Sequence, residues 1–367
     1  MADAALLRWG VLGSGKIARD FACSMNAVPG SRIVSVASRQ DSEQLSEFAA
    51  DFACRSYGSY EAMAADAEVD IVYVATIHPT HFALAKMSLE AGKHCLVEKP
   101  FTMNRREAAE LAGLAAARGL FLMEAMWTRF LPATVEALRL VGEGAIGELR
   151  SGTSSVGGGG APAPPLEEQQ WANSTGAGSL LNVGVYNISV PMFFFRQEHP
   201  SAAVDGAGSI VVRSTGSVNE GGSDTSGVHV VDYGAAGRTI AHCSSEYTLP
   251  NEVVLYGSAG SMRLNSAWGP SSIELNGEAR EVPFEPPSPL SKGKWSAPND
   301  GTTWRSGMAH EIIECQNCIA AGRAESELWP LSATLCVMGL MDDARRQLGV
   351  SYPSDEASVV LRNSASL

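Results

Sequence analysis

Basic residues are scarce in this chain. Its 27 Lys and Arg stand against 40 Asp and Glu, a formal charge of −13 over 367 residues, and no Lys/Arg-rich run is hidden in that average. A surface of this sign repels phosphate backbones and anionic lipid headgroups, so neither nucleic acid nor a membrane surface is an expected partner. Long apolar runs are missing as well. No run approaches the about 18 residues that a membrane span needs, and neither a secretory leader nor an anchor is read from the sequence. Ala365-Ser366-Leu367 resembles a peroxisomal SKL-type address but lacks its basic middle residue. The expected compartment is the cytoplasm, with a peroxisome-like organelle the weaker alternative. Cysteines are few, odd in number and scattered: Cys23, Cys54, Cys95, Cys243, Cys315, Cys318 and Cys336. That pattern suits reduced thiols better than a disulfide framework. Cys315 and Cys318 form a CxxC inside an apolar helical stretch, without a second CxxC or a His pair. They read as two core-facing residues one helical turn apart, and no metal is expected.

What is present is an ordinary globular balance, 45% apolar and 18% charged, at a length that favours about two domains. The first part alternates strands and helices. Leu7–Leu12 reads as a strand, followed by a helix carrying Ile17, Ala18, Phe21 and Met25. Ile33–Ala37 is a second strand and Ser42–Phe52 a helix, with a short helix at Tyr60–Ala65. Asp70–Thr76 is apolar on both faces, as a buried parallel strand must be. Helix His81–Ala91, strand His94–Val97, helix Glu107–Arg118 and a strand opening at Leu120–Met123 complete the rhythm. Such alternation implies a doubly wound parallel sheet, here a Rossmann-type domain over residues 1–125.

Between the first strand and first helix stands Gly13-x-Gly15-x-x-Ala18. The first glycine permits a tight turn, the second lets a pyrophosphate approach the backbone, and the small third residue lets helix and strand pack closely. Free N–H groups at the helix start then bind phosphate. Ser14, Lys16 and Ile17 share that turn and join Gly13 and Gly15 as candidate dinucleotide-binding residues. The second strand ends Ala37-Ser38-Arg39-Gln40, without the acid that would accept bonds from both ribose hydroxyls of NAD. Arg39 suits a 2′-phosphate and Ser38 can donate to it, so NADP (NADPH) is the expected cofactor and NAD the less expected one. A plain surface arginine at a strand end is the alternative reading.

The fourth strand of the series runs into Glu98-Lys99-Pro100. In a doubly wound sheet ligands bind at the carboxyl ends of strands, which aims Lys99 at the cofactor crevice, with a rigid proline behind it. With the Gly13-x-Gly15-x-x-Ala18 turn and the loop Thr76-Ile77-His78-Pro79-Thr80-His81, this motif resembles the Gfo/Idh/MocA oxidoreductase family. Glu124-Ala125-Met126-Trp127-Thr128-Arg129-Phe130, and the tail from Gly307-Met308 through Glu311, Glu325-Ser326, Pro330-Leu331, Met338, Asp342 and Arg345, resemble its branch of dimeric dihydrodiol dehydrogenases and NADP-dependent D-xylose dehydrogenases. The likeness spans nearly the whole chain and loosens between about 150 and 300.

The resemblance implies a second α/β domain over 126–367 with a large, mostly antiparallel open sheet. One face would cover the active site and the other would form a homodimer interface. Strand-like runs at Ile210–Arg213, Val228–Tyr233, Thr239–Ser244, Glu252–Tyr256 and Ser261–Leu264, after a helix at Ala133–Leu140, agree with it. The resemblance adds Thr76, Glu98 and Lys99 to the cofactor set and has His78 and Pro79 flank the nicotinamide; His81, opening the next helix, reads as structural. It pairs Lys99 with a tyrosine from an Asp-x-Gly-x-Tyr motif, here Asn182-Val183-Gly184-Val185-Tyr186 at a helix start. Tyr186 is then the general acid/base: a tyrosine titrates near pH ~10, and an adjacent ammonium favours its phenolate. Trp127 and Arg129 are candidates to line the substrate pocket beside Asn182 and Tyr186, with core packing and a structural ion pair as their alternatives. The implied substrate is a neutral vicinal diol, either a cyclic aldose such as D-xylose or a trans-dihydrodiol.

Two departures stand out. Asn182 replaces the usual aspartate, exchanging an accept-only charge for a neutral amide with two donors. The stretch Gly157–Pro165, together with Asn173–Gly178, reads as a flexible loop that orders with ligand. Both bear on substrate and neither on the cofactor. They leave an alternative of another class: an NADP(H)-binding sensor or scaffold of the same fold whose catalysis has decayed.

Overall fold

A computed structural model of the chain describes residues 6–25, 28–158, 176–198, 210–282 and 307–356. By packing these fall into two compact units. The first holds residues 6–102, 106–130 and 307–334; the second holds Met103–Arg105, 131–282 and 335–356.

The first unit begins with β1 (Leu7–Leu12), α1 (Lys16–Met25), β2 (Ser31–Ala37), α2 (Glu43–Asp51), β3 (Arg55–Tyr57), α3 (Tyr60–Ala64), β4 (Ile71–Val74), α4 (His81–Glu90), β5 (His94–Glu98), α5 (Arg105–Arg118) and β6 (Leu122–Ala125). The six strands form one sheet in the order β3-β2-β1-β4-β5-β6, and every pairing is parallel. This is the expected doubly wound Rossmann sheet. The strand order reverses between β1 and β4, and such a reversal opens a crevice at the carboxyl ends of the two strands. All four residues of β4 are buried, as its unbroken apolar run requires. Against the sheet, Phe21 stacks on Tyr73 with ring centroids 3.8 Å apart and meets Trp9 edge-on at 5.2 Å. Ser42 caps α2 by accepting from Leu45 N–H at 3.2 Å, which explains the observed start one residue inside the expected span. The three-residue β3 was not anticipated, being too short for periodicity to register.

The second unit contains α6 (Pro132–Gly142), β7 (Leu149–Gly157), a π-helical turn (Leu180–Gly184) running into α7 (Val185–Glu198), and then β8 (Val211–Val218), β9 (Asp224–Asp232), β10 (Arg238–Ser244), β11 (Val253–Gly257), β12 (Gly260–Leu264), β13 (Ser272–Leu275) and β14 (Glu278–Glu281). Their eight strands form one sheet ordered β14-β13-β12-β11-β7-β10-β9-β8. Only β7 and β10 run parallel; the other pairs are antiparallel, so the large mostly antiparallel sheet is also found. Helices α6 and α7 pack on one face. The central strand β7, LRSGTSSVG, was not anticipated. Its serines and glycines carry little strand propensity, and pairing on both edges outweighs that. The expected loops at 157–165 and 173–178 lie outside the described residues, except Gly157 and Gly158 at the end of β7 and residues 176–178 before the π-turn.

The chain then returns. Helix α8 (Met308–Ala320) packs on α1 within the first unit. Gln316 Nε2 donates to the Pro29 carbonyl at 3.2 Å, and Leu122 N–H donates to the Ala324 carbonyl at 3.0 Å. Cys315 and Cys318 are buried free thiols in this helix, as their spacing suggested. Helix α9 (Leu331–Leu348) carries Arg345 into the second unit. That buried guanidinium pairs with Asp342 and Asp355, each at 2.7 Å, the paired state a buried charge requires. Among the described residues no helix is long and apolar enough to cross a membrane.

Candidate active site

Four neighbouring strands, β2, β1, β4 and β5, deliver the candidate cofactor residues at their carboxyl ends. β1 hands over to Gly13, Ser14 and Gly15, and Lys16 and Ile17 open α1. Gly13 sits at φ +103, and a Cβ there would stand 2.5 Å from the Ala75 carbonyl oxygen, so only glycine fits. Gly15 is different: a Cβ there would meet nothing within 4 Å. The fold does not need that glycine, and the open space before the first turn of α1, which carries no acidic residue, is what a bound pyrophosphate would fill. At the end of β2, Ser38 Oγ donates to the Gln40 carbonyl at 2.6 Å. Arg39 is exposed and pairs with no carboxylate among the described residues. These features fit a phosphorylated dinucleotide.

After β4, Thr76 Oγ1 accepts from Thr80 Oγ1 at 2.7 Å, and His78 and Pro79 form a 3₁₀ turn, both partly exposed. Ile77 between them is 57% exposed, a large apolar side chain in solvent at a strand end, and sequence reading did not single it out. His81 is fully buried. Its two ring nitrogens lie 3.1 Å from the Thr76 carbonyl and 3.0 Å from the Pro100 carbonyl.

The segment Glu98–Phe101 is held largely by side chains. Tyr73 donates to Glu98 Oε1 at 2.5 Å, and Glu98 Oε2 accepts Lys99 N–H at 3.1 Å. The Lys99–Pro100 peptide is cis. Beyond it, Glu124 Oε1 accepts Phe101 N–H at 3.2 Å, while Glu124 Oε2 accepts the Trp329 indole N–H at 3.1 Å and the Thr334 hydroxyl at 2.9 Å. Sequence reading missed Glu124 as a site residue. Its signal was weak, an acid inside an apolar strand. Lys99 is half-buried; desolvation lowers its pKa, against the pull of Glu98 and Glu124.

A third carboxyl completes this region. Glu311 on α8 is fully buried, and neither oxygen has a hydrogen-bond partner among the described residues. Burial raises the pKa of all three acids. Their donors separate them. Glu98 has two and Glu124 three, which a carboxylate satisfies by accepting. Glu311 has none among the described residues, and both burial and the nearby Glu98 push its pKa well above the usual range, the direction that favours its neutral form. Trp127 and Arg129 follow β6 in a 3₁₀ turn. Trp127 is buried, and Arg129 is half-buried with its pKa lowered to about 10, chiefly by burial.

Asn182 and Tyr186 belong to the second unit. Asn182 is exposed on the π-turn, and Tyr186 is buried in the first turn of α7. This start is anchored from β9: Asp224 Oδ2 accepts both Ser179 Oγ and Leu180 N–H at 2.7 Å. At Gly178, φ +143, a Cβ would stand 2.3 Å from Asp224 Oδ1. Asn187, one residue after Tyr186, accepts from Ser154 Oγ at 2.9 Å and donates to the His242 carbonyl at 2.7 Å, fixing α7 to β7 and β10.

The upward shift at Glu311 generates a test. A carboxyl whose pKa is raised by folding contributes stability that is fully present below its unfolded pKa, about 4.3, and is lost as pH rises towards its folded value. Glu311→Gln keeps the shape and removes the titration. The variant should gain on the wild type as pH climbs, with a thermal midpoint higher by about 2 °C or more at about pH 8 and little difference near pH ~4.5. Equal differences at the two pH values, read by scanning fluorimetry, would overturn the assignment.

Comparison with known proteins identifies the family and the fold. The model for the Gfo/Idh/MocA "oxidoreductase family, NAD-binding Rossmann fold" matches residues 7–126, and that for the GFO/IDH/MocA C-terminal domain matches residues 134–263. The trans-1,2-dihydrobenzene-1,2-diol dehydrogenase of Danio rerio is 32% identical over 354 residues, 95% of this chain and 99% of the relative. That of Mus musculus is 33% identical over the same length and shares. Among solved structures, the 3-ketoreductase KijD10 of Actinomadura kijaniata in complex with NADP and TDP-benzene shares the fold with a TM-score of 0.74 at 24% identity, over 94% of this chain and 99% of that one. On sequence and fold together, this chain belongs to the Gfo/Idh/MocA oxidoreductase family.

Proposed function

We propose that the chain is an NADP-dependent dehydrogenase acting on a carbinol carbon of a neutral vicinal diol, either a cyclic aldose such as D-xylose or a trans-dihydrodiol. The observation that carries the reading is the occurrence, at the carboxyl ends of β1 and β5 on either side of β4, of an open Gly15 turn and the Glu98-Lys99-Pro100 segment. The names of the relatives, dihydrodiol dehydrogenases over almost the full length, support the substrate class. The α1 amino terminus with Gly13, Ser14, Gly15, Lys16 and Ile17 would hold the pyrophosphate. Ser38 and Arg39 would take the 2′-phosphate, and Thr76, His78, Pro79 and Glu98 would border the nicotinamide and its ribose. NADP, when bound, supplies a hydride acceptor at its nicotinamide ring.

The protein's part is proton and charge management. As the substrate's C–H electron pair leaves, its O–H proton must go to a base, and Tyr186 takes it. The Lys99 ammonium stabilises the oxygen as it becomes a carbonyl and favours the phenolate of Tyr186. Asn182, with a neutral amide, orients a hydroxyl by donating as well as accepting. Trp127 and Arg129 would border the substrate. A second reading, an NADPH-binding sensor without turnover, is favoured by Asn182 standing where the resemblance has an aspartate.

The outer face of the second sheet suits a second copy of the chain. Ile240 is 42% exposed and Tyr256 43%. Ile240 has Thr153 and Val230 as cross-strand neighbours, and Tyr256 has Ser151. Exposed apolar side chains with small neighbours stand on this face, and burying them favours association.

Three outcomes test these readings. Arg39→Ala should raise the NADPH dissociation constant roughly tenfold to a hundredfold and leave the NADH constant nearly unchanged; equal effects would remove the 2′-phosphate role. Tyr186→Phe and Lys99→Met should each lower kcat by about 10²–10⁴ with NADPH still bound. Full activity in Tyr186→Phe overturns the acid/base assignment, and tight NADPH binding without turnover over aldoses and diols favours the sensor. Ile240→Asp should convert a two-chain particle to a single chain in sedimentation; an unchanged mass removes this face as the interface.

A further inference from the structure

Arg345 on α9 is buried, and its guanidinium holds more than the two carboxylates beside it. Nη2 also donates to the Met103 carbonyl at 3.2 Å. The two acids reach the same stretch of chain. Asp342 Oδ2 accepts the Arg105 N–H, the first of α5, at 2.9 Å, and Asp355 Oδ1 accepts the Asn104 side-chain amide at 3.2 Å. Three consecutive residues, Met103, Asn104 and Arg105, are thus held by one cluster of charges. Met103 stands four residues after Lys99.

The cluster has a second arm. Tyr352 is buried, and its ring centroid lies 4.7 Å from the guanidinium carbon of Arg345. Its N–H donates to Asp355 Oδ2 at 2.9 Å, and its hydroxyl donates to the Ala177 carbonyl at 2.8 Å. Ala177 leads through Gly178 into the π-turn, five residues before Asn182 and nine before Tyr186. Asp224 holds that start from β9, through Ser179 and Leu180. Tyr352 holds it from the segment that follows α9.

A buried ion pair is weak evidence for stability, since apolar side chains of similar volume commonly serve as well. Fixing one register among several is its best-attested use. Here the two segments held are far apart in sequence, and each leads along the chain to one member of the proposed catalytic pair. We infer that Arg345, with Asp342, Asp355 and Tyr352, is a set of positioning residues that fixes the segment leaving the Lys99 strand against the segment entering the Tyr186 helix. These side chains act through the backbone they hold. A misplacement of about 1 Å between reacting groups costs up to about a hundredfold in rate. The kinetic part of this inference rests on the dehydrogenase reading; the coupling of the two segments does not.

The test uses the full chain with Tyr352→Phe, which keeps the ring beside Arg345 and removes only the bond to Ala177. Asp342→Asn perturbs the opposite arm, leaving a neutral amide beside Arg345 and the Arg105 N–H. The substrate is trans-1,2-dihydrobenzene-1,2-diol or D-xylose, whichever the wild type oxidises. Each variant should lower kcat per NADPH-binding site about fivefold or more, with KM and the NADPH dissociation constant within about twofold of wild type. A residue that merely supports the fold lowers the number of sites or the thermal midpoint and leaves kcat per site unchanged, and that result overturns the positioning role. A change confined to KM overturns it too. If the wild type oxidises neither compound, the dehydrogenase reading fails, and backbone amide exchange decides the coupling by itself. Tyr352→Phe should speed exchange about fivefold or more at residues 179–186 and also at the Arg105 amide, on the far side of Arg345, and Asp342→Asn should do the same. Exchange that rises only on the substituted arm means two independent holders and overturns the inference. Tyr352→Phe alone carries both measurements if Asp342→Asn does not fold.

Discussion

An ammonium group half out of water is expensive to keep charged, and in the first unit two acids offset that cost at Lys99. Desolvation lowers its pKa while the charges of Glu98 and Glu124 oppose that shift. Those two acids are themselves buried, and each persists as an acceptor only because donors surround it. Tyr73 and the Lys99 N–H serve Glu98; Phe101 N–H, Trp329 and Thr334 serve Glu124. The dependence therefore spreads from one side chain through β4, β5 and β6 to the segment that follows α8. Glu311 shows the rule from the other side. Buried with no donor among the described residues, its pKa is pushed upward, towards the neutral form.

The two glycines of the turn after β1 differ. Gly13 is demanded by the backbone itself, at φ +103 with Ala75 behind it, whereas a Cβ at Gly15 would meet nothing within 4 Å among the described residues. A glycine that the fold could replace, at the mouth of a helix and at the switch point of a parallel sheet, is best explained by a ligand that comes close. The same logic applies to Arg39, which is exposed without a carboxylate partner among the described residues, and to Ile77, an apolar side chain left in solvent.

In the second unit the constraint is the anchoring of a helix start. Asp224 holds Ser179 and Leu180, and Asn187 ties α7 to the sheet one residue beyond Tyr186. The π-turn between these anchors exposes Asn182 while Tyr186 remains buried. The substitution of Asn for an expected Asp thus falls on the most solvent-facing residue of that turn.

Much of this was legible without coordinates. Strand–helix alternation, the placed Gly13-x-Gly15-x-x-Ala18 turn, the Ser38-Arg39 strand end and Glu98-Lys99-Pro100 are local patterns, and local sterics and hydrophobic period write them directly into sequence. The sequence by itself determined the parallel sheet and the glycine turn after its first strand, while the mainly antiparallel second sheet was implied by the family resemblance. Other features depended on residues distant in the chain and so had no local signal. Strand β7, rich in serine and glycine, is a strand because β10 and β11 flank it. Glu124 matters because Trp329 and Thr334, some two hundred residues later, donate to it. His81 looked like one more helix-opening histidine until both its nitrogens met carbonyls from separate strand ends. Only the tertiary structure decided these, because hydrogen-bond satisfaction in a buried site is a property of which groups converge there, and convergence is what folding adds to a sequence.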